Sequence, residues 1–218
     1  MITHHPPFDL LCDYAAGASG EGLALAIATH VAMCATCREQ VSQIEAVAGA
    51  MLEGVAPAAM SDGALALALD QLDDMDVEPA RAAPRFDALT AGTIPLPLRR
   101  YLSGNLSSLP WKSMGRLFQE ARLPLSGKAV KASLMRLRPG SLMPRHTHRG
   151  HEYTLVLAGG FRDGDEAFAP GDFCAKDVAH QHQPVVDEDE ECLCLVVLDA
   201  PVKLTGAIGR LVNPFLRF

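Results

Sequence analysis

Two groups of metal-ligand residues, of different chemistry, lie in two differently patterned stretches of this chain, and each restricts what can form around it. His30, Cys34 and Cys37 make an H-x3-C-x2-C run (HVAMCATC) inside a stretch of helical periodicity. More than a hundred residues later, His146, His148 and Glu152 make an H-x-H-x3-E run in a stretch rich in β-formers and turns. At about 3.6 residues per turn, His30, Cys34 and Cys37 project from one face of a helix. Zinc takes four soft or imidazole ligands in a tetrahedron, so a fourth is expected from elsewhere, with His4, His5 and Cys12 as candidates. The alternative is that the cysteines are small buried hydrophobes and His30 a polar face residue. A metal is favoured because a helical unit of about 80 residues has little margin from its core alone.

The chain has 218 residues, room for one large domain or two small ones, and 49% of them are apolar, ample for a packed core. No apolar run reaches the roughly 18–20 residues of a membrane helix. The opening MITHHPPFD lacks a basic region followed by an apolar one, so no secretory signal is expected and the protein is read as cytoplasmic. In that compartment the six cysteines should be reduced, which makes C-x2-C a metal or redox motif rather than a disulfide. A thioredoxin-like site is disfavoured by His30, one turn ahead of Cys34, and by the lack of a βαβ pattern.

The net charge of −7 is unevenly spread. Residues 1–78 hold twelve acidic residues and one basic residue, Arg38, a net −11, whereas the remaining 140 carry 18 basic and 14 acidic groups, a net +4. So acidic a unit repels phosphate backbones and argues against direct nucleic-acid binding; it suits a basic protein partner or simply a solvated surface.

The first part reads as four helices: Phe8 to Ala16, Glu21 to about Cys37, Glu39 to about Glu53, and one N-capped at Ser61 and running to Met75, with Leu65, Leu69 and Leu72 as its apolar stripe. Residues 79–108 hold Pro79, Pro84, Pro95 and Pro97 with little periodicity and read as a linker, extended at the prolines. From residue 109 on, Val130–Leu137, Tyr153–Leu157 and Cys192–Leu198 read as strands punctuated by RPGS, GGFRDGD and APGD, the signature of an all-β sandwich or barrel. The acidic run Asp187–Glu191 reads as an exposed loop. The expected organisation is therefore a two-domain chain, α followed by all-β, with units 1–78 and 109–218 joined by 79–108.

His146 and His148, at i and i+2, share one face of a strand, and Glu152 joins them if the chain bends at Arg149–Gly150. Imidazoles with one carboxylate suit Zn, Mn, Fe or Ni. His180 and His182 are further candidates; His151, out of phase, is not. The stretch Gly140, five residues, His146-Thr-His148, three residues, Glu152, six residues, Gly159 resembles the first cupin motif at every spacing. The second motif is partly kept: Gly164 and Pro170 are in place, but a glycine follows the proline directly. GDFCAKDVAHQHQP resembles the cupin variant of the ChrR family, in which a histidine just before x-Pro is the fourth ligand, which implies His182.

The first half is similar to zinc-binding anti-sigma domains, on His30, Cys34 and Cys37 and on THHPPF followed by LLCDYAAG. That resemblance implies His5 as the remaining zinc ligand. Together the halves resemble the ChrR family of anti-sigma factors across nearly the whole chain, LPWKSMG and NPFLRF included. The resemblance implies a zinc-binding helical domain that inhibits an extracytoplasmic-function sigma factor, and a cupin (jelly-roll) sensory domain whose metal is one divalent ion, zinc foremost. It implies release of the sigma factor under singlet oxygen or organic peroxide. Cys192 and Cys194, sharing a strand face, are either redox-sensitive or inert buried thiols; Cys12 and Cys174 read as structural. The alternative function is a metal-dependent cupin enzyme of dioxygenase or isomerase type.

Overall fold

The structure, a computed structural model, describes residues 1–73, 84–127 and 129–205. Among the described residues six helices come first: α1 (Phe8–Ala15), α2 (Glu21–Met33), α3 (Ala35–Glu53), α4 (Ala64–Asp73), α5 (Ala88–Thr93) and α6 (Leu96–Arg99), then a 3-10 turn at Leu106–Ser108. Eleven strands follow: β1 (Lys112–Met114), β2 (Phe118–Arg122), β3 (Lys131–Leu137), β4 (His146–His148), β5 (Glu152–Ala158), β6 (Phe161–Asp163), β7 (Glu166–Phe168), β8 (Phe173–Lys176), β9 (Val185–Val186), β10 (Cys192–Leu198) and β11 (Val202–Leu204). They form an antiparallel six-stranded sheet, β1-β2-β3-β10-β5-β8, faced by two small sheets, β11-β4 and β7-β6-β9, in the manner of a cupin jelly roll.

Register explains why the strands of the large sheet are apolar on both faces. Ser133, Val196, Thr154 and Cys174 lie in one row across β3, β10, β5 and β8 and turn into the barrel. Their neighbours Leu134, Leu195, Leu155 and Phe173 turn outward, where a solvated sheet would carry polar side chains. That outer face is covered by Leu25 and Ala26 of α2 and by Ile94, Leu98, Leu102, Leu106 and Leu109, in one continuous core. Each fully buried leucine of that set contributes about 1.5–3 kcal/mol.

The close seat of α2 depends on Gly22, where an added Cβ would stand 2.7 Å from Cγ1 of Val130 and 3.0 Å from Cγ1 of Val197. Glu21 ties the same end of the helix down, its carboxylate accepting the backbone N–H of Ser126 at 2.7 Å and the hydroxyl of Tyr101 at 3.2 Å.

Three expectations are corrected. The stretch expected as an extended linker is, from residue 84 on, part of the folded body. Asp87 caps α5 by accepting the Thr90 N–H at 2.7 Å, and Pro95 and Pro97 stand at the start of α6, where a missing N–H is harmless. The prolines mark helix starts, and the leucines between them bury against the sheet. Residues 79–83 lie outside the described residues.

Second, the helix expected to run to Cys37 ends at Met33. Cys34 has extended backbone (φ −108°, ψ 110°) and caps α3, its sulfur accepting the Cys37 N–H at 3.4 Å. His30 and Cys37 thus belong to different helices. Third, α4 starts at Ala64 rather than directly after Ser61, because residues 61–63 form a turn through Ala64 N–H to Ser61 O; Met75 lies outside the described residues.

Candidate metal centres

The break after Met33 folds the α2–α3 junction back on itself, and the N-terminal segment crosses it. His5, His30, Cys34 and Cys37 each bring a ligand atom to within 4.8 Å of every other. Nε2 of His30 stands 3.3 Å from Cys37 Sγ, and Nδ1 of His5 stands 3.3 Å from Cys37 Sγ and 3.5 Å from Cys34 Sγ. His30 and both cysteines are buried among Leu11, Ile27 and Val41. Burial lowers the His30 pKa to about 4, against the opposing hydrogen bond to Gly171, so the imidazole is neutral and ready to bind a cation. Burial, helped by the neighbouring Cys34 sulfur, pushes the Cys37 thiol up to about 12. Two imidazoles and two sulfurs converging without a proton donor suited to each contact fit a tetrahedral cation better than a bare hydrogen-bonded cluster. His4 is not in the group: its ring lies on Phe168, 4.3 Å between centroids, and Cys12 is not there either.

The second group forms where β4 meets the β8–β9 connection. His146 and His182 exchange backbone hydrogen bonds, at 3.1 and 3.0 Å, which sets His182 opposite His146 and beside His148. Glu152, first residue of β5, follows the bend at 149–150. His146, His148, Glu152 and His182 bring ligand atoms within 4.8 Å of one another. Pro144 O accepts from His146 Nδ1 at 2.7 Å and Asp163 accepts from His182 Nδ1 at 3.1 Å, so the Nε2 lone pairs of both rings are free.

The Nε2 atoms of His148 and His182 are 3.0 Å apart, and Nδ1 of His148 is buried without a hydrogen-bond partner among the described residues, 3.7 Å from Glu152 Oε2. Burial and the neighbouring His146 lower the His182 pKa to about 4, and burial likewise lowers that of His148, against the attraction of Glu152. Facing lone pairs, an orphaned nitrogen and a nearby carboxylate fit one divalent ion. His180 and His151 stay outside, exposed and paired with Asp177 and Asp199.

The barrel interior beside this group is a cavity of about 520 Å³, lined by Met135, Met143, Phe161, Val196 and Leu198 as well as by His146 and Glu152. Cys192 and Cys194 are buried next to it with sulfurs 3.4 Å apart. Residues that sequence reasoning missed are those that hold the ligands. Asp163, in a turn motif, also takes Lys176 Nζ at 3.1 Å, and Asp172, in APGD, anchors the N-terminal segment. Neither carries a local signal, because their partners are distant in sequence.

A cupin jelly roll with a three-histidine, one-carboxylate group, joined to a helical unit with a Cys2His2 group, defines the class. Residues 102–201 match the family described as the ChrR cupin-like domain. The chain is 38% identical over 219 residues to the anti-sigma-E factor ChrR of Cereibacter sphaeroides, covering 99% of both chains. Its fold is similar to the crystal structure of Rhodobacter sphaeroides SigE in complex with the anti-sigma ChrR, with a TM-score of 0.77 and 36% identity over 91% of this chain and 100% of that one. This chain belongs to the ChrR family of anti-sigma factors.

Proposed function

We propose that this protein holds an extracytoplasmic-function sigma factor through its N-terminal helices and releases it when the barrel meets oxidative stress, singlet oxygen or organic peroxide. The observation that carries the reading is the apolar surface of α3 and α4. Met51, Leu52, Leu65 and Leu69 are 72%, 72%, 71% and 52% exposed, in a member of a family with a relative crystallised on its sigma factor. An amphipathic helix whose leucines stay exposed among the described residues suits insertion into a groove, and the acidic charge of residues 1–78 favours a basic partner. Residues 1–78 act as the holding unit and 109–218 as the sensing unit.

His5, His30, Cys34 and Cys37 bind zinc, which fastens the helices together. His146, His148, Glu152 and His182 bind one divalent ion: zinc foremost, with manganese, iron or nickel as chemically acceptable alternatives. We read the chain as a cytoplasmic regulator rather than a cupin enzyme; among the described residues no helix is long and apolar enough to cross a membrane.

The test is the full-length double variant Leu65→Asp, Leu69→Asp with the candidate sigma factor. Loss of binding by at least about 2 kcal/mol, roughly 30-fold, is expected at an unchanged melting temperature, because both side chains are already exposed. Wild-type affinity in that variant would refute α4 as the docking element.

A further inference from the structure

The Cys2His2 group is held from two sides, and only one of them is helical. The cysteines are fixed by the α2–α3 junction. His30 rides on α2 but is oriented from the barrel, and the segment carrying His5 is pinned to it, both through the turn that joins β7 to β8. Gly171, at the centre of that turn, has φ +94°, the left-handed conformation glycine takes after proline in a type II turn, and a Cβ there would run into Ile2. The turn delivers the Gly171 carbonyl to His30, whose Nδ1–H donates to it at 2.8 Å. That bond selects the tautomer in which Nε2 carries the lone pair, and Nε2 is the nitrogen facing Cys37.

Asp172, 1% exposed, accepts the backbone N–H groups of Thr3 at 2.7 Å and His4 at 2.9 Å on Oδ1, and that of Ala169 at 2.9 Å on Oδ2. The Phe173 N–H donates to the His4 carbonyl at 3.0 Å. Three hydrogen bonds therefore pin residues 3 and 4 to the barrel, immediately before His5, whose own side chain is exposed. Phe173 also sets its ring edge-on to His30, 6.0 Å between centroids. At the other end of β8, Lys176 contacts Asp163, which receives His182 Nδ1, so a four-residue strand spans from one metal group to the outer shell of the other.

We propose that Gly171 and Asp172 are positioning residues for the zinc in the helical unit: the barrel turn orients His30 and pins the segment that carries His5, and so slows the loss of zinc from the helices. This rests on reading the Cys2His2 group as a zinc site. It makes the barrel a structural part of the zinc site, and it gives any change in the barrel a short route to the helices that hold the partner.

The experiment uses full-length, zinc-loaded protein. Zinc release to a chromogenic chelator is followed in wild type, Asp172→Ala and Asp172→Asn, with cobalt substitution as a second readout, because thiolate-to-cobalt charge transfer reports only on the Cys2His2 group. Asp172→Ala is expected to release zinc about 10- to 100-fold faster and to alter the cobalt band, the usual effect of removing an outer-shell partner. Asp172→Asn, which keeps an acceptor oxygen, should fall between it and wild type.

Glu120→Gln, a barrel substitution remote from the turn, should release zinc at the wild-type rate. Equal acceleration in Glu120→Gln would reduce the effect to general destabilisation and overturn the proposal, as would a wild-type release rate in Asp172→Ala. If Asp172→Ala does not fold, Asp172→Asn decides: several-fold faster release supports the proposal, and no change overturns it. Zinc content in Cys37→Ser equal to that of wild type would instead remove the zinc reading itself, a separate result.

Discussion

Nε2 of His148 and Nε2 of His182 lie 3.0 Å apart, from residues 34 positions distant in sequence, and the second nitrogen of His148 is buried without a partner among the described residues. With Asp163 taking the Nδ1 proton of His182, this pair is bridged either by the single proton His148 can offer or by a cation. His148→Ala is expected to lower barrel metal content by more than about tenfold, leave sigma inhibition intact and blunt release under singlet oxygen. Mass-spectrometric metal analysis beside a sigma-dependent reporter checks both parts. Unchanged metal content would remove the site, and metal loss with a normal stress response would deny it a signalling role.

Cys37 is fully buried and meets both His5 and His30. Cys37→Ser should lose the zinc of the helical unit and, with it, sigma binding, since the N-terminal segment, α2 and α3 would no longer be tied at one point. Atomic absorption and co-purification measure the two. A zinc-free Cys37→Ser protein that still binds tightly would contradict this account.

Gly22 places α2 against Val130 and Val197 with no room for a side chain. Gly22→Val should lift the helix from the sheet at a cost of about 1–3 kcal/mol. Chemical denaturation reads the loss, and a variant as stable as wild type would mean the interface has slack that the 2.7 Å separation denies.

The buried Glu120 carboxylate accepts from Lys131 Nζ at 2.6 Å and from the Ser133 hydroxyl at 2.7 Å. Burial pushes its pKa up, but the hydrogen bonds from Lys131 and Ser133 and the nearby positive charges leave it, on balance, below the usual carboxylate range. A folded-state pKa below the unfolded one means that the contribution is present above about pH 4 and is lost as the pH falls through the lowered value. Lys131→Met should cost about 1–3 kcal/mol at neutral pH by leaving Glu120 short of a partner. It should also flatten the acid limb of the stability profile, because Glu120 loses the main contact that holds its pKa below the unfolded value. Urea melts at several pH values test this, and a purely vertical offset of the profile would show that Glu120 does not titrate with folding.

Much of the fold was legible because its signals are local. β10 was expected at Cys192–Leu198 and lies there, since seven consecutive β-forming apolar residues leave little alternative. The exposed run at Asp187–Glu191 was equally plain. The linker expectation fails over 84–108 because prolines at helix starts and prolines in linkers look alike until one sees whether Ile94, Leu98 and Leu102 have something to bury against. The break between α2 and α3 carries no glycine or proline; Cys34 leaves the helix to cap the next one, and its preference for that role is not written in a local pattern.

By itself the sequence determined where the two candidate groups start, at His30, Cys34 and Cys37 and at His146, His148 and Glu152, because spacing along the chain limits which side chains can share a face. His5 rather than His4, and His182 rather than His180, joins each candidate group through contacts across the chain: Asp172 and Phe168 draw His4 to the barrel, and the backbone pairing of His146 with His182 turns that histidine inward. Only the tertiary structure decided that the two units share a core and that the barrel supports the histidines of the helical site. Hydrogen bonds such as His30 to Gly171, 141 residues apart, form only once both elements are folded and packed, and no periodicity in either element encodes the other.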